Sequence, residues 1–462
     1  MNALAGSPAI AVETLVDEQR VGAPLFRLIG ICGLLMACDA YDLSALAYVA
    51  PSLMKLWGIA PITMGFVIAA AMLGMLAGSL ILGEAGDRFG RRRIIICAAF
   101  CFAAFTILAG FTSSPLQLAL VRFGAALGLG GVTPNVIALA SEMIPSRLRA
   151  TSIGIIFSGF LLGGIAAGLV AAEIVPEYGW QAIFWIGGSL SLLCAVAVSL
   201  LLPESLTFLV GKPAPRSAVL KAASALRPDV KLPDDATLVL GHRKAEKLGV
   251  KALFAHPQRG ATIWVWALYF ACALSVFFIG NWLPTMVVRQ GFDGGVAAYA
   301  TAAMFAGGAV GSVIGGVVTD RFGFLAITIL AILAAAAITA LGLAHAPHDL
   351  VIISLFTGGA MLGSQSSLHG IVGSVYPAEI RAAGVGWASG ISKTGAIAAP
   401  VIGGSLMPHL APIEIYAVAG LPMLVVAIAA LLLRALLRGP MMNVGQETLP
   451  SYPAPTLSAS KD

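Results

Sequence analysis

The sequence predicts an all-α membrane protein with twelve transmembrane helices arranged as two six-helix repeats. Charged residues make up 11% of the 462 residues, against roughly 25% in soluble domains. Hydrophobic residues make up 59% and the mean hydropathy is +0.94. Apolar runs of about 20 residues, long enough to cross the hydrocarbon layer of a membrane, recur along the chain. A soluble enzyme, a nucleic-acid-binding protein and a secreted disulfide scaffold therefore fit poorly.

Six apolar runs predict an N-terminal six-helix bundle at residues 28–202. Residues 1–27 carry Glu13, Asp17 and Glu18 and lack the basic region that begins a signal peptide. They are predicted to form a cytoplasmic N-terminal tail. The six predicted spans are 28–50, 63–82, 94–111, 115–139, 152–175 and 180–202.

A polar break at residues 203–260 separates the two halves and contains ten basic residues. It is predicted to be a cytoplasmic central loop that serves as a tether with short amphipathic helices. A C-terminal six-helix bundle at residues 261–437 and a cytoplasmic C-terminal tail at residues 438–462 follow it. The six further predicted spans are 261–284, 297–318, 324–344, 350–375, 384–407 and 415–437.

The distribution of basic residues orients the chain in the membrane. Of the 27 Lys and Arg residues, the predicted outer loops contain only Lys55 and Arg289, and the predicted spans contain Arg122 and Lys393. The others fall on the side of the termini and the central loop. Because Lys and Arg collect on the cytoplasmic side, the sequence predicts an integral protein of the cytoplasmic (inner) membrane with both termini in the cytoplasm.

The two halves of the sequence repeat each other. Residues 83–90 (GEAGDRFG) correspond to residues 316–323 (GVVTDRFG), and residues 145–150 (PSRLRA) correspond to residues 377–382 (PAEIRA). Two parallel repeats are typical of alternating-access transporters, whose binding site lies between the repeats. The sequence has no nucleotide-binding G-x-x-x-x-G-K-[ST] motif, and its cysteines and histidines show no metal-ligand spacing. No cofactor or metal is therefore expected.

The repeated loops and the first span also resemble a known family. Residues 83–93 (GEAGDRFGRRR) resemble the cytoplasmic loop signature of the major facilitator superfamily, and residues 122–131 (RFGAALGLGG) resemble its fourth-helix pattern. Residues 39–42 (DAYD) resemble the D-G-x-D motif of the aromatic acid:proton symporter family, although alanine replaces the glycine. Residues 134–142 (PNVIALASE) and 376–386 (YPAEIRAAGVG) are similar to the same family.

The resemblance implies which charged residues carry function. The essential acidic and basic residues of that family match Asp39, Asp42, Arg122, Glu142 and Arg381. A further family arginine matches Lys393, which keeps the charge but loses the bidentate geometry of arginine.

Asp39 and Asp42 are the predicted proton-coupling residues. Being three residues apart, they share one helix face, and they lie about 17 and 21 Å into the first span, near the membrane midplane. A charge at this depth costs about 2.5–3.5 kcal/mol on insertion scales and usually marks an ion or substrate pathway. The alternative is an ion pair, for example with Arg122, that only fixes helix packing.

Arg122 and Lys393 are predicted to provide positive potential for an anionic substrate. With Asp39 and Asp42 ionised, the four charges cancel, and protonating one aspartate leaves a charge of +1 that one organic carboxylate would balance. This hypothesis links proton and anion transport. The alternative for Lys393 is a side chain that extends toward the cytoplasm.

Two further groups of residues are candidates for gating and for substrate contact. Charged residues near cytoplasmic helix ends are predicted to gate, although the basic cluster could instead serve only to fix topology: Asp87, Arg88, Arg91, Glu142, Asp320 and Arg381. Polar and aromatic residues predicted to contact substrate are Tyr41, Asn281, Trp282, Gln365 and His369. Trp282 could instead anchor its helix at the membrane interface. His369 could shuttle protons, or a neighbouring hydroxyl could satisfy it.

These observations and the resemblance together predict a proton-coupled secondary transporter that imports an aromatic carboxylate, such as a hydroxybenzoate, by alternating access. It is not expected to be an enzyme. The expected partners are a small aromatic carboxylate, a proton and the lipid bilayer, with no nucleic acid, and a monomer is expected by analogy. Import of another organic anion, efflux of drugs or metabolites, and a non-transporting sensor of aromatic acids remain alternatives.

Overall fold

The computed structural model describes residues 9–19, 21–212, 215–227, 237–239, 253–254 and 259–438. The predicted tail at residues 438–462 lies outside this part of the chain, apart from Arg438. The described residues are mostly helical, in agreement with the all-α prediction.

The first half of the chain begins with a short strand and helix and continues with long helices. Its elements are β1 (Ala9–Ala11), α1 (Val12–Asp17), α2 (Ala23–Trp57), α3 (Pro61–Phe89), α4 (Arg91–Ala109), α5 (Pro115–Met143), α6 (Ser146–Glu173), α7 (Val175–Tyr178) and α8 (Gln181–Leu201). The central segment adds α9 (Leu206–Gly211), α10 (Arg216–Leu226) and β2 (Thr237–Val239).

The second half contains six long helices. They are α11 (Arg259–Arg289), α12 (Gly294–Phe322), α13 (Phe324–Leu341), α14 (Pro347–Ile371), α15 (Ala378–Leu406) and α16 (Pro412–Arg438). A 3₁₀ turn, Val372–Val375, extends α14.

The helix contacts of the first half recur in the second. In the first half α2 packs against α6 and α8, α3 against α5, and α4 against α5 and α8. In the second half α11 packs against α15 and α16, α12 against α14, and α13 against α14 and α16. The internal repeat in the sequence therefore corresponds to a repeat in three dimensions.

Each repeated loop turns at a single glycine. Gly90, between α3 and α4, has φ 106°, and Gly323, between α12 and α13, has φ 60°. Side chains with a Cβ rarely adopt positive φ, so glycine suits the last position of both G-x-x-x-D-R-F-G motifs. The helices α3 and α12 run several residues past the predicted spans, because Asp87 and Asp320 continue the helix beyond its most apolar part.

Eleven helices in the described part of the chain are long and apolar enough to cross a membrane. The twelfth predicted span, 384–407, corresponds to α15, which lies outside these eleven but has 29 residues. Lys393 and neighbouring Ser and Gly residues make α15 less apolar than a lipid-facing helix. It packs between α3 and α11 rather than standing apart from the bundle.

The N-terminal segment and the central segment pack together against the first half. Strand β1 pairs in parallel with β2. Gln19 Nε2 donates to the carbonyl of Leu226 at 3.1 Å, and an Arg227 guanidinium nitrogen donates to the carbonyl of Leu15 at 3.4 Å. Val12 and Leu15 are buried in the same cluster as the termini-side ends of α2 and α5. Thus the two short helices α9 and α10 lie in the predicted loop, and α10 packs on the bundle rather than serving only as a tether.

The two halves contact each other along three helix pairs: α2 with α11, α3 with α15, and α6 with α12. The large apolar residues that remain exposed lie on many of the long helices, as expected for surfaces that face lipid. These three contacts leave a space between the halves.

Candidate functional site

A cavity of about 560 Å³ lies between the two halves, in the size range of small-molecule sites. Helices α2 and α6 of the first half and α11, α12 and α14 of the second contribute its walls. Phe157, Phe160, Phe277 and Phe305 provide broad apolar surface. The polar residues of the lining are Ser44, Ser158, Asn281, Ser312, Gln365, Ser366 and His369.

One wall of the cavity is a polar strip on α14. Gln365, Ser366 and His369 are spaced so that they share one helix face. Ser366 Oγ lies 2.9 Å from Ser312 Oγ on α12. On α11, Asn281 Nδ2 donates to the carbonyl of Phe277 at 2.7 Å, which leaves the amide oxygen of Asn281 available. Three predicted contact residues, Asn281, Gln365 and His369, therefore line the cavity.

His369 has a tyrosine partner behind the wall. The hydroxyl of Tyr269 lies 3.2 Å from His369 Nδ1, and the two rings meet edge to face with centroids 5.3 Å apart. Tyr269 is fully buried, whereas His369 is exposed in the cavity. The neighbouring hydroxyl considered from the sequence is thus present, and it occupies one of the two ring nitrogens.

Tyr41 and Trp282, also predicted to contact substrate, are buried away from the cavity lining. The hydroxyl of Tyr41 donates to the carbonyl of Ile183 on α8 at 3.1 Å. Trp282 Nε1 donates to the carbonyl of Pro400 on α15 at 3.1 Å. Each hydrogen bond joins two helices of the same half, the first half for Tyr41 and the second half for Trp282. Both side chains therefore pack inside a half and do not line the cavity. Trp282 is also fully buried, whereas a tryptophan that anchors its helix at the membrane interface is exposed there.

Arg122 on α5 forms a buried ion pair with Asp42 on α2. Arg122 Nη1 lies 2.8 Å from Asp42 Oδ1, and Arg122 Nη2 donates to the carbonyl of Asp42 at 2.9 Å. Thr106 on α4 donates to the same carboxylate oxygen at 2.6 Å. The guanidinium also lies over the ring of Phe184, 5.7 Å from its centroid. Arg122 is therefore compensated by Asp42 inside the first half and lies outside the cavity lining.

Asp39 has a different environment from Asp42. Its Oδ2 accepts a hydrogen bond from Thr133 on α5 at 3.1 Å. Its Oδ1 is buried without a hydrogen-bond partner, and no cation of the described residues lies within ion-pair distance. Asp39 lies one helical turn from Leu43, which lines the cavity. Asp39 is therefore a buried carboxyl group without a counter-ion among the described residues, beside the cavity.

Lys393 lies where the two halves meet, at the contact of α15 with α3. Its Nζ donates to the hydroxyl of Ser79. It is partly buried and lies one turn from Ala396, which packs in a small cluster with Met72 and Phe277. Because Phe277 also lines the cavity, Lys393 is close behind one wall without being part of the lining. No carboxylate among the described residues lies within 4 Å of Lys393.

The charged residues of the first repeated loop form a network within the first half. Arg91 bridges Asp87, at 3.1 Å, and Glu142 on α5, at 2.6 Å. Ser205, beside α9, donates to Glu142. The loop residue Arg88 stacks its guanidinium over the ring of Phe89, 5.3 Å from the centroid.

The corresponding charges of the second half form no such network within the described ranges. Arg381 Nε donates to the carbonyl of Tyr376 at 3.4 Å. Asp320 is exposed and makes no ion pair with another residue that the structure describes. The six residues predicted to gate therefore divide into four near the first-half loop and two separate residues in the second half.

Comparison with known proteins identifies the family. The family model of the Major Facilitator Superfamily matches residues 32–323 and 265–459. The chain belongs to this superfamily. Its curated relatives place it with the aromatic acid transporters of the superfamily, in agreement with the family resemblance found in the sequence. A major facilitator protein is a transporter, and the prediction that the chain is not an enzyme is confirmed.

Three relatives in this superfamily are similar over most of their length. The benzoate transport protein of Acinetobacter baylyi is 31% identical, over 87% of this chain and 89% of the relative. The gallate transporter of Pseudomonas putida is 31% identical, over 91% and 94%. The 4-hydroxybenzoate transporter PcaK of Pseudomonas putida is 31% identical, over 86% and 90%.

Solved structures confirm the major facilitator fold. The inward-open xylose transporter XylE from E. coli matches with a TM-score of 0.68 at 16% identity, covering 91% of this chain and 98% of that one. A bacterial homologue of the human lysosomal transporter Spinster, inward-facing and unoccupied, matches with a TM-score of 0.66 at 16% identity, covering 90% and 97%.

The site contains residues that sequence reasoning did not identify. Ser44, Ser158 and Ser312 line the cavity, and Thr106 and Thr133 donate to the two aspartates. Single hydroxyls are common in membrane helices that pack through small residues, so nothing in the sequence distinguishes these from others. The one available signal was the presence of the two aspartates, which need donors when they are buried.

Proposed function

We propose that the protein imports a small aromatic carboxylate together with a proton across the cytoplasmic membrane, by alternating access between its two halves. The observation that carries this proposal is the cavity of about 560 Å³ between the halves, with four phenylalanines and a polar strip in its lining. Aromatic walls suit a planar ring, and polar groups at one wall suit a carboxylate. The relatives named for benzoate, gallate and 4-hydroxybenzoate support the same substrate class.

The position of the cavity along the helices supports an inward-facing state. The lining residues of α14, from Met361 to His369, belong to the end of that helix on the side of the chain termini. By the distribution of Lys and Arg, this side is cytoplasmic. On the other side, Tyr299 of α12 donates a hydrogen bond to Glu173 of α6, which joins the two halves. Transport would require this outer contact to break and the inner side to close.

Asp39 is the better candidate for the proton carrier of the two predicted aspartates. Asp42 has Arg122 as its counter-ion and Thr106 as a second donor, so its ionised form is compensated. Burying an unpaired carboxylate costs far more than burying the neutral acid. Asp39 therefore has a reason to take up a proton in this state and to release it when its surroundings change. In this proposal Asp42 holds the geometry of the coupling site.

Lys393 remains the proposed source of positive potential for the anion. Arg122 contributes less to this potential, because Asp42 is its counter-ion. Arg122 is neutralised locally by Asp42, whereas Lys393 has a hydroxyl as its partner. An uncompensated ammonium close behind the cavity wall attracts an anion over several ångströms in a medium of low dielectric constant.

The charged loop residues are proposed to act in gating. Arg91 holds Asp87 and Glu142 together on the inner side of the first half. When the halves close on this side, Asp320 and Arg381 of the second half would approach the opposite loop. Such charge networks stabilise one of two rocking states.

Uptake of radiolabelled benzoate, 4-hydroxybenzoate and gallate by the purified protein in liposomes tests the substrate class. We expect saturable uptake of at least one acid, inhibited by excess unlabelled acid. Phe157→Ala, which removes a ring exposed in the cavity, is expected to raise KM roughly ten-fold. Phe356→Ala removes an exposed ring of α14 that is not part of the cavity lining. It serves as the matched control, and its KM is expected to be unchanged.

Other outcomes would replace the proposal. Uptake of aliphatic acids alone would assign a different organic anion. Movement only from inside to outside would assign efflux. Binding of an aromatic acid without transport would assign a sensor.

A further inference from the structure

The cavity lining is unusually poor in charge for the site of an anion. Among the described residues that line it, none is Lys, Arg, Asp or Glu, and His369 is the one whose side chain can carry a positive charge. Arg122 lies inside the first half and Lys393 lies behind the wall. A carboxylate that enters the cavity in this state therefore meets His369 as its strongest candidate donor.

His369 lines the cavity and has one ring nitrogen held by a protein partner and one without such a partner among the described residues. Nδ1 is hydrogen-bonded to the hydroxyl of Tyr269, 3.2 Å away. Nε2 has no protein partner within the described ranges, and the side chain is exposed in the cavity. When the Tyr269 hydroxyl donates to Nδ1, the ring proton belongs on Nε2. Nε2–H is then the donor that remains for a ligand, on a side chain that lines the cavity.

Tyr269 is well placed to hold this geometry. It is 1% exposed on α11, so its hydroxyl cannot easily find water in place of the imidazole. Its ring packs edge to face against the imidazole ring. Two constraints, a hydrogen bond and a ring contact, therefore fix the orientation of His369.

We propose that His369 binds the carboxylate group of the transported aromatic acid through Nε2, and that Tyr269 is the residue that positions it. Gln365, one helical turn away on the same face of α14, provides a second donor for the carboxylate. The aromatic ring of the acid then extends toward Phe277 and Phe305. This inference rests on the proposed function, because it assumes that an aromatic acid occupies the cavity.

The pair benzoate and benzamide separates recognition of the carboxylate from recognition of the ring. The experiment measures KM and maximal rate for benzoate uptake, and the inhibition constant of uncharged benzamide, with full-length protein in liposomes. His369→Ala is expected to raise KM for benzoate about ten- to a hundred-fold, as for the loss of a hydrogen bond to a charged group. The benzamide inhibition constant should change less than about three-fold. His369→Gln, which keeps an amide donor near the position of Nε2, should recover part of the affinity.

Tyr269→Phe tests the positioning role, because it removes only the hydroxyl. It should raise KM for benzoate roughly three- to ten-fold with the maximal rate nearly unchanged, and it should add nothing in the His369→Ala background. His348→Ala, at the other end of α14, and Tyr416→Phe, a buried tyrosine elsewhere in the second half, are the matched controls. If His369→Ala fails to fold, His369→Gln and Tyr269→Phe decide the question.

The outcomes distinguish this inference from the proposed function. If wild-type protein takes up benzoate and the His369 and Tyr269 variants keep its KM, the carboxylate site lies elsewhere, and a raised KM in Lys393→Gln would place it there. If wild-type protein takes up no aromatic acid, the proposed function fails and this inference fails with it.

Discussion

Arg122 of α5 contacts both the carboxylate and the backbone carbonyl of Asp42, at 2.8 and 2.9 Å, in a site where both side chains are about 1% exposed. The contact joins α5 to α2, and Thr106 joins α4 to the same carboxylate. Three helices of the first half thus meet at one charge pair. The pair is internal to that half, so the rocking of the two halves in the proposed transport cycle would leave it intact.

Arg122→Met is expected to destabilise the protein by about 3–5 kcal/mol, because it leaves the Asp42 carboxylate buried without its counter-ion. The double variant Arg122→Met, Asp42→Asn removes both charges and should recover much of the loss. The stability of both variants is measured by heating detergent-solubilised protein and determining by gel filtration the fraction that remains folded at each temperature. An Arg122→Met protein that unfolds at the wild-type temperature would contradict a structural role for the pair.

Glu142→Gln tests whether the network of the first loop acts in gating. The Arg91–Glu142 pair is partly exposed, so its loss should change the free energy of unfolding by no more than about 1 kcal/mol. A gating role predicts a transport rate reduced roughly three-fold or more, since the charge pair stabilises one state of the cycle. Ser205→Ala keeps the ion pair and removes only the hydroxyl that donates to Glu142, so its rate should remain closer to wild type than that of Glu142→Gln. Equal rates in all three proteins would leave the network with a purely topological role.

The contact of Tyr299 with Glu173 allows a test of the proposed inward-facing state, on the side of the protein that the proposal assigns to the outside. Tyr299→Phe removes the hydroxyl that joins α12 to α6, so the outer side should open more often. A cysteine at Ala302, which is 6% exposed and lies one helical turn from Tyr299 on α12, should react with a membrane-impermeant maleimide from the outer side roughly two- to five-fold faster. Tyr178→Phe, an exposed tyrosine of α7, provides the comparison. An unchanged labelling rate in Tyr299→Phe would show that this contact does not hold the outer side closed.

The Asp17 carboxyl group, which lies outside the long apolar helices, is expected to make the stability of α1 depend on pH. The backbone N–H of Ser146 donates to the Asp17 carboxylate at 2.7 Å and, with Arg149 and Arg147 nearby, lowers the pKa of Asp17 below its usual value. A carboxyl group with a lowered pKa contributes stability that is present above its unfolded pKa of about 3.9 and is lost as the pH falls through the folded pKa. Hydrogen exchange of α1 should therefore show protection at neutral pH that declines below about pH 4.

The Asp17→Asn variant provides the reference for this titration. Its α1 should be less protected than wild type at neutral pH, and the difference should shrink in acid. If the protection of α1 still differs between wild type and Asp17→Asn by the same amount well below about pH 4, the Asp17 carboxylate is not the cause of the pH dependence.

The fold followed from the sequence because its evidence is repeated many times along the chain. Eleven of the predicted spans match helices that are long and apolar enough to cross a membrane, and the two G-x-x-x-D-R-F-G loops turn at Gly90 and Gly323 for the same backbone reason. The helix ends were less predictable, since charged residues such as Asp87 continue a helix outside the membrane. The packing of α1 and α10 on the bundle depends on contacts between segments far apart in sequence.

The site was predictable only in part, for a physical reason. Asp39 and Asp42 are conspicuous because charge is rare in membrane helices. Their different partners, a threonine for one and an arginine for the other, depend on how α2 is rotated against α4 and α5. The same rotation separates Tyr41 from the cavity and places Leu43 and Ser44 in its lining. Periodicity alone does not determine which face of a helix meets the cavity when nearly every face is apolar.

Proton-driven accumulation in Asp39→Asn tests the central claim most directly. Wild-type protein in liposomes should accumulate labelled benzoate above equilibrium when the outside is acidic, and an ionophore should abolish the accumulation. Asp39→Asn should lose this accumulation and keep the exchange of labelled for unlabelled benzoate, which needs no net proton movement. If Asp39→Asn accumulates benzoate as wild type does, another group carries the proton and Asp39 is not the coupling residue.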